Sequence, residues 1–208
     1  MTHAIADKTR RMTAMVTNLL DMARIQSGDI RLRVEWQSLE EIIGSALKAA
    51  QGSLGPRRIS VRIDPAVPLV ECDAVLIERV LANLLENAGK YTPEHSPIEI
   101  IVRPDADAVR VSVQDRGPGV PAGQEDAIFD KFTRGNTESA TPGMGLGLAI
   151  CRAIIEAHHG RIWVETTLDN GQASGATFNF TLPRGTPPPV EMAELADTPL
   201  NLGQTQEP

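Results

Sequence analysis

The stretch TPGMGLGLAICRAI, residues 141–154, decides how the rest of the chain is read. Gly143, Gly145 and Gly147 alternate directly before an amphipathic helix whose apolar side carries Leu148, Ile150, Ile154 and Ile155. Glycines that lead into a helix N-terminus bring free N–H groups and the positive end of the helix dipole toward an anion, so this is a phosphate-binding device. No Gly-Lys-Ser/Thr follows, which excludes the P-loop pattern, and no simple strand-to-helix turn precedes it, which excludes the dinucleotide fingerprint. Alone, the same glycines also fit a plain hinge.

Working upstream, AIFDKFTRGN (127–136) places Phe129 and Phe132 three apart as anchors for a loop, with Lys131 and Arg134 positioned to meet phosphate. DRGPGV (115–120) follows a strand in which Val109, Val111 and Val113 alternate inward. Asp115 continues that register. A carboxylate facing a core needs donors, and an adenine amino group is one. Gly117 and Gly119 remove side chains where backbone would pass a ligand; a tight turn with an exposed Asp is the other reading of this segment. In IERVLANLLENAGKYT (77–92), Ile77, Val80, Leu81, Leu84, Leu85 and Ala88 form an apolar helix face. Arg79, Asn83, Asn87 and Lys90 or Tyr91 recur at steps of three and four on another face. Asn is a poor mid-helix residue, but its neutral carbonyl oxygen suits a Mg²⁺ that already holds phosphates and waters. An exposed polar face gives the same spacing. Downstream, SGATFNF (174–180) opens a last strand, where Thr177 can reach a base from a pocket wall or be an ordinary edge-strand Thr.

The remaining chain fixes the class. It has 208 residues, 41% hydrophobic and 23% charged, with a net charge of −7. That is a globular composition, and an acidic surface excludes a general nucleic-acid or anionic-membrane binder. No run reaches the roughly 18 apolar residues of a membrane span, and MTHAIADKTRRM lacks a signal-peptide core. Cys72 and Cys151 are isolated and read as buried free thiols in a reducing compartment. Residues 1–27 predict a helix stopped by Gly28, with Ile5, Met12 and Leu19 seven apart and Met15 and Met22 in a second stripe, a seam for a partner helix. RLRVEW (31–36) and RISVRI (58–63) alternate as strands, with Leu32, Val34 and Trp36 on one face of the first and Ile59, Val61 and Ile63 inward in the second. Ser38 and Glu41 predict a capping box for a helix to about Gln51. Further helices are expected over about 73–90 and 145–158, and further strands near 98–103, 108–115, 161–167 and 175–182. The stretch from Pro183 is rich in proline and polar residues and reads as a disordered tail. Adjacent strands mixed with helices predict an α+β fold, a two-layer sandwich with one mixed sheet covered by helices on one face and preceded by a long helix.

In this order the segments resemble the catalytic ATP-binding domain of sensor histidine kinases, in the GHKL ATPase superfamily with its Bergerat-type fold. NLLENAGKYT (83–92) resembles the N box, DRGPGV the G1 box, IFDKFTRG (128–135) the F box, GMGLGLAI (143–150) the G2 box, and GATFNFTLP (175–183) the closing G3 strand. NLLDMARIQSG (18–28) resembles the second helix of the dimerisation and phosphotransfer hairpin, and the wording of several segments is similar to potassium-responsive Kdp-type kinases. The resemblance implies three parts: an incomplete hairpin over 1–28, a catalytic domain over 29–183, and a tail over 184–208. It implies ATP and Mg²⁺ as cofactors. Asp115 would read adenine, with Gly117, Gly119 and Thr177 around the base. Asn87 would hold Mg²⁺, supported by Asn83. Lys90 and Tyr91 would touch phosphate and nucleotide. Arg134, Gly143, Gly145 and Gly147 would form the lid that closes on the γ-phosphate, Lys131, Phe132, Leu146 and Leu148 would also bind ATP, and Asn83, Asn87, Lys90 and Arg134 would carry catalysis.

The family's phosphoacceptor box is absent: His3, His95, His158 and His159 lie in other contexts and read as structural or exposed. The expected function is transfer of the ATP γ-phosphoryl group to a histidine outside this chain, which by itself would not autophosphorylate. The expected partners are the missing hairpin, a second copy through residues 1–27, and a response-regulator receiver domain, in a cytoplasmic chain whose parent is anchored in the inner membrane. Two alternatives stand beside this: a nucleotide-holding interaction module without turnover, and an ATP-hydrolysing relative. The hydrolytic relatives place a Glu where this chain has Asn83, and Glu86 lies about 100° round the helix from Asn87.

Overall fold

The structure, a computed structural model, describes residues 32–130, 145–169 and 172–185. The expected helix over residues 1–27, the segment 131–144 and most of the expected tail lie outside the described residues. The elements run β1 (Glu35–Gln37), α1 (Leu39–Leu54), β2 (Ile59–Ile63), β3 (Val70–Cys72), α2 (Ala74–Tyr91), β4 (Ile98–Asp105), β5 (Ala108–Gln114), a 3₁₀ turn (Ala127–Phe129), α3 (Gly147–Ala157), β6 (Ile162–Asp169) and β7 (Gln172–Pro183).

The main sheet has the order β2-β4-β5-β7-β6. β2 runs parallel to β4, and the other neighbours are antiparallel, so the sheet is mixed as expected. Period-two alternation sorts its faces. One face buries Ile98, Ile100 and Val102 of β4, Val109, Val111 and Val113 of β5, Val164 of β6, and Phe178, Phe180 and Leu182 of β7. The helices close this face. α1 contributes Leu39, Ile42, Ile43, Ala46, Ala50 and Leu54, and α2 and α3 bring their own apolar stripes into the same core. The other face is polar: Arg62 pairs with Glu99, Arg110 with Asp105, and Ser112 Oγ donates to Asn179 Oδ1 at 2.6 Å. The Arg110 guanidinium lies 5.2 Å from the centre of the Trp163 ring.

Several local expectations are corrected. The capping box at Ser38 does not form; Ser38 has N-cap backbone geometry but no side-chain cap bond, and Glu41 instead stands with Glu40 as an acidic first turn facing the helix dipole. The first strand shrinks to Glu35–Gln37 and pairs with β3, a strand the sequence reading missed, so it does not join the main sheet. Val34 is exposed. Val61 takes the same side of the sheet as Ile100, as its alternation requires, but β2 is an edge strand and this side chain is left 41% exposed. α1 runs on to Leu54.

Asp73 ties three elements together. It caps α2, its Oδ1 accepting from Leu76 N–H at 3.2 Å, while its Oδ2 accepts from Arg33 N–H at 3.0 Å. Its own N–H donates to His158 Nε2 at 3.0 Å, and His158 Nδ1 lies 2.8 Å from the Ile154 carbonyl. These contacts assign the neutral Nδ1–H tautomer, with Nε2 as acceptor. His158 is therefore structural, whereas His95 and His159 are exposed. Asp73→Ala should cost about 1–2 kcal/mol, read as a lower denaturation midpoint with an unchanged slope.

Both cysteines are buried and free, and burial pushes each thiol up to about 12.

Candidate functional site: a carboxylate at the end of a strand facing a polar helix stripe

α2 is amphipathic as its sequence requires. Ile77, Val80, Leu81, Leu84, Leu85 and Ala88 are buried, and the adjoining stripe of Asn83, Asn87 and Lys90 is partly open. Tyr91 is half exposed. Lys90 Nζ lies 3.1 Å from the Tyr91 hydroxyl and 4.8 Å from its ring centre. Glu86 is exposed.

β5 delivers Asp115 to the end of the sheet. Its register continues from Val113, and the residue is 5% exposed. It sits opposite Ala176 of β7, accepting that residue's N–H on Oδ1 at 3.3 Å, and its own N–H donates to the Ala176 carbonyl at 2.9 Å. Oδ1 also accepts from Gly117 N–H at 2.7 Å. Among the described residues no donor reaches Oδ2. Burial pushes the carboxyl above the usual carboxylate range, and the two N–H groups pull it partly back. The arrangement is a fixed, buried acceptor with one oxygen free for a ligand donor.

The loop after Asp115 is held from two sides. Thr166 Oγ1 accepts from Val120 N–H at 3.1 Å and donates to the Val120 carbonyl at 3.0 Å. Gly119 has φ +71°, and a Cβ there would lie 2.6 Å from Thr166 Cγ2, so both conformation and space demand glycine. At Gly117 the loop passes the end of α2: a Cβ would lie 3.0 Å from the Tyr91 carbonyl oxygen. Gly175 crosses under the Asp115 backbone, where an added Cβ would overlap the Asp115 carbonyl.

On the third side, the start of α3 meets the stripe. A Cβ at Gly147 would lie 3.0 Å from Asn83 Oδ1. Gly145 has φ +67°, Leu146 is buried and Leu148 is packed against the core. Phe129 is buried, edge-on to Phe178 at 6.4 Å, and under the Arg152 guanidinium at 4.8 Å. Of the expected site residues, the structure brings together Asn83 with Gly147, and the end of α2 with Gly117 and Asp115. It sets Thr177 apart. β7 alternates, so Thr177 pairs with Gln114 and Glu165 on the opposite face from Ala176 and Asp115. Lys131, Phe132, Arg134 and Gly143 lie outside the described residues.

Sequence reasoning missed Ala176 and Thr166. Counting back by twos from Phe178 and Phe180 would have put Ala176 on the core face; nothing in the sequence marks Thr166.

Residues 72–186 match the family described as histidine kinase-, DNA gyrase B- and HSP90-like ATPases. The sensor protein KdpD of Escherichia coli (strain K12) is 49% identical over 179 residues, 86% of this chain and 20% of that protein. The chain thus spans about a fifth of the length of that curated relative. Full-length ShkA in complex with AMPPNP superposes with a TM-score of 0.74 at 25% identity, covering 88% of this chain and 38% of that one. The histidine kinase ThkA in complex with the response regulator TrrA superposes with a TM-score of 0.65 at 28% identity, covering 85% and 49%.

Proposed function

Because the chain belongs to the histidine kinase-, DNA gyrase B- and HSP90-like ATPase family, we propose that it binds ATP with Mg²⁺ as the catalytic domain of a two-component sensor histidine kinase. The observation that carries this reading is Asp115, a buried carboxylate with both protein donors on one oxygen. Oδ2 then accepts from the adenine amino group. Asn87 offers an amide oxygen to a Mg²⁺ that brings phosphate and water ligands with it, and Asn83 stands between that position and the α3 N-terminus. The first-turn N–H groups there, which have no intrahelical acceptor, favour phosphate, and Lys90, with Tyr91 beside it, supplies a cation. Phosphoryl transfer needs mainly positioning and charge neutralisation, which these groups provide toward a histidine outside this chain. Bound Mg²⁺ would neutralise phosphate charge.

We further propose a response-regulator receiver as the next acceptor, on the likeness to ThkA in its complex with TrrA. Potassium-responsive signalling is proposed on the identity to KdpD, with a membrane-anchored parent and a homodimer through residues 1–27. Among the described residues, no helix is long and apolar enough to cross a membrane.

Calorimetry with ATP tests the core of this. Asn87→Ala should weaken Mg-ATP binding roughly ten-fold while leaving the weaker Mg-free binding nearly unchanged. Equal loss with and without Mg²⁺ would remove Asn87 as the metal residue.

A further inference from the structure

One half-buried cation has no part in the nucleotide reading. Arg57 lies in the loop between α1 and β2. Its Nη1 donates to the Leu54 carbonyl at 2.8 Å, and its Nη2 donates to the carbonyls of Gly89 at 2.7 Å and Thr92 at 2.9 Å. These acceptors belong to the last turns and caps of two helices, where carbonyls lack intrahelical partners and the dipole is negative. α1 has no basic residue in its own last turn. The two helix ends are in contact: a Cβ at Gly89 would lie 2.5 Å from the Ser53 carbonyl oxygen. Among the described residues, the buried Arg57 Nε has no partner, while the two Nη groups make all three carbonyl contacts.

The far side of this corner is the site. Thr92, whose carbonyl takes Arg57, has its Cγ2 3.3 Å from where a Gly117 Cβ would stand; the Tyr91 carbonyl oxygen is 3.0 Å from the same point. Gly117 N–H donates to Asp115. Lys90 and Tyr91 lie between the two carbonyls that Arg57 holds.

We propose that Arg57 is a positioning residue of the nucleotide site: by clamping the Gly89 and Thr92 carbonyls it fixes the corner bearing Lys90 and Tyr91 and, through Gly117, the Asp115 carboxylate. The proposal rests on the nucleotide reading above. A planar fork reaches three carbonyls on two helix ends in a fixed geometry. A lysine ammonium is a point charge on a flexible stem and does not replace it.

The test compares Arg57→Met and Arg57→Lys with Val102→Ala, a core change in β4 that lowers stability away from the corner. Two quantities are measured well below each variant's melting temperature: the ATP Kd, and the ¹⁹F signal of protein labelled with 3-fluorotyrosine. Tyr91 is the sole tyrosine of the chain, so that signal reports this corner alone. Both Arg57 variants should lose roughly ten-fold in ATP affinity, as displaced binding groups do, and shift or broaden the Tyr91 signal. Val102→Ala should do neither. If the Arg57 variants only melt earlier, keeping the ATP Kd within about two-fold and the Tyr91 signal in place, the proposal is overturned and Arg57 merely caps helices. If the unsubstituted chain binds no ATP, the nucleotide reading falls, and the Tyr91 signal still decides whether Arg57 holds the corner. Where Arg57→Met does not fold, Arg57→Lys carries the comparison.

Discussion

Asp115→Asn weakens ATP binding by roughly ten- to a hundred-fold, the worth of a charge-assisted hydrogen bond, while the protein stays as stable at neutral pH or becomes more so. The two effects have one cause. An amide oxygen at Oδ1 can still accept from Gly117 and Ala176 N–H, so the internal contacts survive. The Oδ2 position becomes an NH₂ group, which meets the adenine amino group donor to donor. The desolvated charge is removed at the same time. Burial raises the folded-state value of Asp115 above its unfolded value, so between the two the folded protein holds a proton that the unfolded chain has released. Stability from this group is complete below the ordinary carboxylate value of about 3.9 and is lost as pH rises through the raised one. The melting-temperature difference between Asp115→Asn and the unsubstituted chain should therefore shift in favour of the Asn variant as pH rises through that window, and then level off. Melting curves across acid to neutral pH, with calorimetry against ATP and GTP, check both halves. A variant that loses stability at neutral pH yet binds ATP normally contradicts both.

Gly175→Ala should destabilise the chain by about 3 kcal/mol, at the upper end of what overpacking costs. The added methyl group has no direction in which to give. It meets the Asp115 carbonyl and the Arg116 Cα, both backbone atoms, in a strand paired with Thr167 of β6 at this position and tied to the Asp115 backbone through Ala176. Relaxation must move either β7 or the start of the 115–120 loop, so surviving folded protein should also bind ATP poorly. Denaturant titration gives the first effect and calorimetry the second. A variant within about 0.5 kcal/mol of the parent would show that the strand has slack.

How far the sequence goes can be traced through particular residues. The long helices and the central strands follow from strong periodicity, and Asp115 was placed correctly because a strand's register carries past its last valine. Val61 misled for the converse reason. Alternation says which face a side chain takes, but not whether a helix covers that face at the sheet edge. Thr177 is the same lesson one residue out of phase: its hydroxyl suggested a ligand contact, but the even-numbered positions of β7 face the carboxylate. Arg57, Thr166 and His158 were illegible as partners because their bonds span 32 to 85 positions and need the tertiary fold to exist. The capping box failed for a local reason, since its residues were present and the side-chain bond was not formed.

The shared anchor at Asp73 has a mechanical consequence. The chain enters the domain with its Arg33 N–H fastened to one carboxylate oxygen, and the other oxygen closes the first turn of the helix that bears Asn83 and Asn87. The same residue's amide is fastened to the imidazole at the end of α3, the helix whose opposite end faces Asn83. Arg33 is therefore riveted at the joint of α2 and α3. A pull on the chain at Arg33 would load that joint first, and the sheet would feel it only afterwards.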